Sequence, residues 1–237
     1  MPNWVTNDVV VRGTEEQMLN LFNDALANSG EEKKDNVQDA FDTLVSNAKH
    51  KVSKQDGISH FEVKVCEVEL VKGLTLRTIL PCPDTFLMYD TTNHPKEFKE
   101  QAKEQKDTYG VVGWYDYNVK TIGTKWDAKI ECSKLTEKDG IYSWGFLCDS
   151  AWSPITTFLK YLIDTYGVRA FNYATDEGYN FVFYEEVNGD DGKDFTDQFI
   201  ELYERFSEED DSDDYDNAVD KLESNIRDEY DNFILNA

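Results

Sequence analysis

Residues 129–186 read KIECSKLTEKDGIYSWGFLCDSAWSPITTFLKYLIDTYGVRAFNYATDEGYNFVFYEE, and their pattern decides the fold. Strand-like runs at Lys129–Leu135 and Tyr142–Asp149 flank the turn Glu137-Lys138-Asp139-Gly140. β-Branched and aromatic residues bounded by turn residues read as a hairpin. Ser153 is then a natural N-cap followed by Pro154, and Ile155, Phe158, Leu159, Leu162, Ile163 and Tyr166 recur at helical spacing up to Gly167. Two further strands, Val168–Ala174 and Tyr179–Glu186, meet at Asp176-Glu177-Gly178. Hairpin, helix, hairpin predicts an α+β protein: an antiparallel sheet with helices on one face.

Upstream, the run Val5–Arg12 ends at Gly13, and Thr14 with Gln17 three residues on makes a capping box. Met18, Leu21, Phe22, Ala25 and Leu26 continue as a helix that Gly30 ends, and Val37, Ala40, Phe41, Leu44, Val45 and Ala48 predict a second. Phe61, Val63 and Val65 alternate with polar residues, and Leu74, Leu76 and Leu80 continue past Lys72-Gly73, which reads as another hairpin. His94-Pro95 suggests the start of a surface helix through Phe98 and Ala102.

Downstream, two amphipathic helices are expected. Phe195, Phe199, Leu202 and Phe206 make the apolar stripe of the first, and Tyr215, Val219, Leu222, Ile226, Tyr230 and Phe233 that of the second. The expected organisation is thus an N-terminal α+β region over 1–108, a sheet domain over 109–188 and an acidic helical C-terminal extension over 189–237.

The segment from Tyr109 to about Glu186 resembles the ferredoxin-like domain of the YubB-type proteins, carried by phages and conjugative plasmids. The resemblance rests on Gly113-Trp114-Tyr115-Asp116, Gly123-Thr124-Lys125-Trp126-Asp127 and Asp149-Ser150-Ala151-Trp152-Ser153-Pro154, with the opening Met1-Pro2-Asn3-Trp4 and Thr6-Asn7. Pro154-Ile155 stands where members usually carry two prolines. The resemblance implies a ferredoxin-like second half and an origin on a mobile element; it carries no activity. Genes of that origin often act against host defences, which is an association.

Charge is the other strong signal. Glu185–Ala237 holds 20 acidic residues against four basic ones, a net of −16 out of −24 for the chain. Such a field repels phosphate and attracts basic surfaces. Asp197, Glu201, Glu204, Glu208, Glu209, Asp210, Asp211, Asp213, Asp214 and Asp216 are the candidate partner-binding residues. Carboxylates at helical i, i+3 and i+4 stand about 5–6 Å apart, comparable with alternate phosphates along one DNA strand at about 3.4 Å per step. The expected function is non-enzymatic: inhibition of a host defence complex, such as a CRISPR or restriction effector, by a nucleic-acid-mimicking face. The partner would be a basic nucleic-acid-binding host protein, with no direct contact to nucleic acid or membrane. A charge run that is only a solvated face is the competing reading.

An alternative site is the Trp114, Tyr115, Lys125, Trp126, Asp127 region, which could line a pocket of a small-molecule or nucleotide-processing enzyme, although the large aromatics are expected to pack under the sheet. A third reading is an assembly protein that oligomerises through an exposed sheet edge. No cofactor, metal or catalytic residue is expected. Cys66, Cys82, Cys132 and Cys148 lack C-x-x-C spacing, and His50, His60 and His94 lack histidine partners. No G-x-S-x-G or P-loop occurs, and Asp190-Asp191-Gly192-Lys193-Asp194 fails the register of a calcium loop. The longest apolar runs, such as Phe181–Tyr184, fall far short of the roughly 18 residues a membrane span needs. The opening has neither a basic nor an apolar leader region, so a cytoplasmic location is expected.

Overall fold

A computed structural model describes residues 3–29, 52–55, 58–61, 74–94, 96–207 and 212–236. Its centre is a six-stranded antiparallel open sheet of β1 (Trp4–Gly13), β4 (Ile130–Lys138), β5 (Ile141–Ala151), β6 (Arg169–Asp176), β7 (Val182–Glu186) and β8 (Gly192–Asp194). The order across the sheet is β4-β5-β1-β6-β7-β8. A separate ribbon pairs β2 (Val52–Gln55) with β3 (Ile58–Phe61). The helices are α1 (Glu15–Ser29), α2 (Leu76–Ile79), α3 (Asp84–Met88), α4 (Lys99–Tyr109), α5 (Gly113–Ile122), α6 (Thr156–Tyr166), α7 (Thr196–Ser207) and α8 (Ser212–Asn236). None of these is long and apolar enough to cross a membrane.

β1 lies between β5 and β6, with Val5 opposite both Ser150 and Asp176. The sheet therefore runs across the boundary expected at residue 108. β1 ends at Gly13, and α1 starts on the predicted capping box: the Thr14 N–H donates to Gln17 Oε1 at 2.8 Å and the Gln17 N–H to Thr14 Oγ1 at 3.4 Å. The β4–β5 hairpin turns at Asp139-Gly140, both at positive φ, the backbone that a two-residue turn between twisted strands requires.

Alternation divides the sheet residues between two cores. On one face Val9, Val11, Trp144 and Phe146 are sealed by Met18, Leu21 and Phe22 of α1 and by Phe158, Leu159 and Leu162 of α6. Trp144 is fully buried, packs edge-on to Phe22 at 5.0 Å and donates its indole N–H to Ser133 Oγ. On the other face Phe171, Tyr173, Val182 and Tyr184 are covered by Phe195 just before α7, by Phe199 of α7 and by Val219, Ile226, Tyr230 and Ile234 of α8. Burying each such side chain contributes about 1.5–3 kcal/mol.

That second layer corrects the expectation of helices on one face. The apolar stripes of α7 and α8 need a surface to pack on, and β6 and β7 supply it. Polar bonds fasten the layer: the Tyr230 hydroxyl donates to the Asp8 carbonyl at 2.9 Å, Tyr179 donates to the Glu223 carboxylate at 2.9 Å, and Arg227 pairs with Asp8 at 3.0 Å.

Other elements depart from expectation. Leu76 starts a short helix rather than continuing a strand, because Thr75 and Thr78 form a capping box. α4 begins at Lys99, beyond His94. Residues 113–122 form the unpredicted α5, ended by Gly123 at φ +81°. Ser153 does not cap α6; its hydroxyl donates to the Gly123 carbonyl. The buried Asn7 takes over that end, its Oδ1 accepting from the Ile155 N–H at 3.1 Å while its Nδ2 donates to the Cys148 carbonyl and to Ser150 Oγ. The calcium-like run Asp190–Asp194 ends in β8 itself, Gly192–Asp194, which pairs with β7. The helix expected from Val37 to Ala48 lies outside the described residues.

Candidate functional site

Phe195, immediately before α7, and Phe199 on it face the sheet while Asp197, Glu201 and Glu204 are exposed. Beside these carboxylates Ile200 and Tyr203 are also exposed, Tyr203 at 65%. α8 anchors Val219, Ile226 and Tyr230 and exposes Asp216, Asp220 and Asp228. Asp213 and Asp214 fall in the first turn of α8, and Glu208, Glu209, Asp210 and Asp211 lie outside the described residues. The structure thus holds Asp197, Glu201, Glu204 and Asp216 on the outer sides of two docked helices. It also withdraws some acids from that surface: Glu229 pairs with Lys193 at 2.7 Å and Glu223 accepts from Tyr179.

The segments carrying the family resemblance meet where β1 begins and β5 ends. Trp126 lies between Trp4 and Trp152, with ring centroids 6.1 and 5.5 Å away. The Lys125 ammonium sits 4.9 Å from the Trp126 ring, 5.0 Å from Trp152 and 5.7 Å from Tyr115. Three surrounding rings make a cation–π cage that this lysine already fills. Trp4, Tyr115, Trp126 and Trp152 are all exposed and Trp114 is half-buried, so these aromatics do not pack under the sheet as expected; Trp144 does. Trp152 adopts φ +66°, a left-handed conformation rare for a bulky residue. Its N–H is held by the Asn3 carbonyl at 2.9 Å, and Thr124 both donates to the Ala151 carbonyl and accepts its N–H.

Asp127 is turned away from Lys125 chemistry: its carboxylate accepts the Arg77 N–H at 3.1 Å, at the start of α2. The Arg77 guanidinium, which sequence reasoning did not single out, is half-buried over the Tyr117 ring at 5.0 Å. It donates to Asn118 Oδ1, to Thr121 Oγ1 at 2.9 Å and to the Leu80 carbonyl at 3.1 Å. Burial holds its pKa below the ordinary arginine value. The same desolvation raises the nearby Cys82 thiol, against the opposing pull of Arg77. Arg77 thereby ties α2 to α5.

Burial pushes the Cys148 thiol up to about 12, so it stays protonated and inert in the core. Cys132 is exposed at the β4 bulge, and Cys66 lies outside the described residues. Among the described residues no cluster of three or more histidine, cysteine or carboxylate groups could hold a metal ion.

No protein-family model matches the chain, and no curated protein or solved structure matches it either.

Proposed function

We propose that the chain is a non-enzymatic binding protein whose acidic C-terminal helices dock onto the basic groove of a nucleic-acid-binding protein. The observation that carries this is the pairing of roles on α7. Phe195 and Phe199 fix the helix to the sheet, and Asp197, Glu201 and Glu204 then stand outward beside exposed Ile200 and Tyr203. A purely solvating face has no need of exposed apolar side chains, whereas interfaces combine aromatic anchors with charges that steer association. A rigid acidic row can substitute for phosphates without losing conformational freedom on binding.

The sequence resemblance directs the search to host defence complexes in the bacterial cytoplasm, with CRISPR and restriction effectors first. The ferredoxin-like reading, made for 109–188, gains support from the arrangement β4-β5-β1-β6 and the order β1-α1-β4-β5-α6-β6 once β1 and α1 are taken from before residue 109 and the intervening β2, β3 and α2–α5 are treated as an insertion. In that plan β7, β8, α7 and α8 are additions that bring the acidic face. The enzymatic alternative loses support because Lys125 is enclosed by rings and Asp127 serves α2.

The test is binding of the full chain to purified DNA-binding effectors, with duplex DNA as competitor. Asp197→Lys, Glu201→Lys and Glu204→Lys combined should abolish a complex that native protein forms, and the native complex should weaken more than tenfold between roughly 50 and 200 mM salt. Equal binding by the reversed chain, or a complex indifferent to salt and to DNA, removes the proposal.

A further inference from the structure

Among the described residues the second face of the sheet is only partly covered. α7 and α8 seal β6 and β7, and beyond the end of α8 a groove of about 920 Å3 opens over β1, β5 and β4. Its size is that of a small-molecule site. The apolar part of its lining is Val10, Ile141, Ile234 and Leu235, and Gly145 lies among them.

The charge of this groove runs against the rest of the molecule. Four bases, Arg12, Lys134, Lys138 and Arg169, line it with three carboxylates, Glu137, Asp139 and Asp231, in a chain that has 24 bases and 48 acids. Arg169 is held by a two-pronged pair with Glu186 at 2.7 and 3.0 Å. Glu137 accepts the Gly140 N–H at 2.8 Å. Arg12 is different. It stands opposite Arg169 in the β1–β6 register, and both guanidinium groups lie over the Phe171 ring, at 5.4 and 5.2 Å. Among the described residues Arg12 makes no ion pair or hydrogen bond. Burial and the Arg169 charge hold its pKa below the ordinary value. Two like charges juxtaposed beside an apolar hollow are relieved when an anion enters.

We propose that this groove binds an amphipathic anion, with its carboxylate, sulfonate or phosphate head against Arg12 and its apolar body along Val10, Ile141, Ile234 and Leu235. The site is separate from the acidic faces of α7 and α8 and does not depend on the function proposed for them. Gly145 keeps the floor low. A Cβ there meets nothing closer than the Val9 carbonyl at 3.8 Å, so a larger side chain projects into the hollow without disturbing the sheet.

The test titrates the full chain with two dyes of the same aromatic body, 8-anilinonaphthalene-1-sulfonate and the uncharged N-phenyl-1-naphthylamine, followed by fluorescence. Native protein should bind the sulfonate saturably at one site, at least tenfold tighter than the neutral dye. Arg12→Gln should weaken the sulfonate about tenfold and leave the neutral dye unchanged, and Gly145→Leu should remove both. Leu235→Asp, at an exposed rim position, should weaken both several-fold and serves if Gly145→Leu fails to fold. Unsaturable binding, equal affinity for the two dyes, or native affinities in Arg12→Gln and Leu235→Asp would overturn the proposal.

Discussion

The second face of the sheet is treated in two ways across its width. Over β6 and β7 it is closed by aromatic packing: Phe199 stacks on Tyr179 at 4.5 Å with planes 7° apart, and Tyr184 touches Phe195, Tyr230 and Phe233. Over β4 and β5 the described residues leave it open, floored by small and aliphatic residues and lined by four bases and three carboxylates. The closed half contributes stability and turns carboxylates outward on its helices. The open half brings Arg12 beside Arg169 over the Phe171 ring. In one molecule an acidic helical surface and a groove with a slight excess of bases are thereby kept apart, each suited to a different class of partner.

The comparison is broken most severely at Phe199. Phe199→Ala leaves a cavity against Tyr179 and should lower the unfolding free energy by about 3–5 kcal/mol in urea melts, whereas Gly145→Ala in the open half should stay within about 1 kcal/mol. Comparable losses at the two positions would show that the open half also bears load. The seam between the halves is sharper ground. Tyr230→Phe deletes the hydroxyl that satisfies the Asp8 carbonyl, with an expected loss of about 1–2 kcal/mol and native near-ultraviolet circular dichroism.

The smallest effect concerns pH at that same seam. Burial raises the Asp8 carboxyl above its ordinary value, and Arg227 opposes the shift without cancelling it. A carboxyl whose folded pKa is raised takes up its proton at higher pH in the folded chain than in the unfolded one. Stability from this group therefore grows as pH falls through the folded value toward 3.8, and is lost again as pH rises. Asp8→Asn should flatten that part of the stability profile, in the acid range just above 3.8, in parallel urea titrations. An unchanged profile would mean that the Arg227 ion pair cancels the effect of burial, and a reversed slope that it dominates.

Much of the frame was legible where local signals were unambiguous. Thr14 and Gln17 announced the start of α1, and the turn residues at Asp139-Gly140 and Gly178 placed the strands around them. The stripe of Phe195 and Phe199 announced a packed helix without saying which surface it packs on. Less was legible where two local readings compete. Leu74, Leu76 and Leu80 alternate like a strand, yet Thr75 and Thr78 cap a helix. Tyr117, Asn118 and Ile122 are the buried side of α5, a mixture too polar and aromatic to show a helical stripe. Long-range placement was least visible: nothing in Val5–Val11 names β5 and β6 as partners. The groove shares that difficulty, since Arg12, Lys134, Lys138 and Arg169 are scattered along the chain and only the register of β1, β4, β5 and β6 brings them together.

The central position of β1 also bears on biosynthesis. Val5 pairs with Ser150 and Asp176, so the first strand leaves the ribosome long before either neighbour exists. At translation speeds of about 5–20 residues per second, Val9, Val10 and Val11 wait roughly ten seconds or longer with both strand edges unsatisfied. Among the described residues α1 is the sheet-packing element made early enough to shield them, through Met18, Leu21 and Phe22. A nascent chain stalled before residue 140 should therefore engage chaperones, and one that has released β6 should let them go.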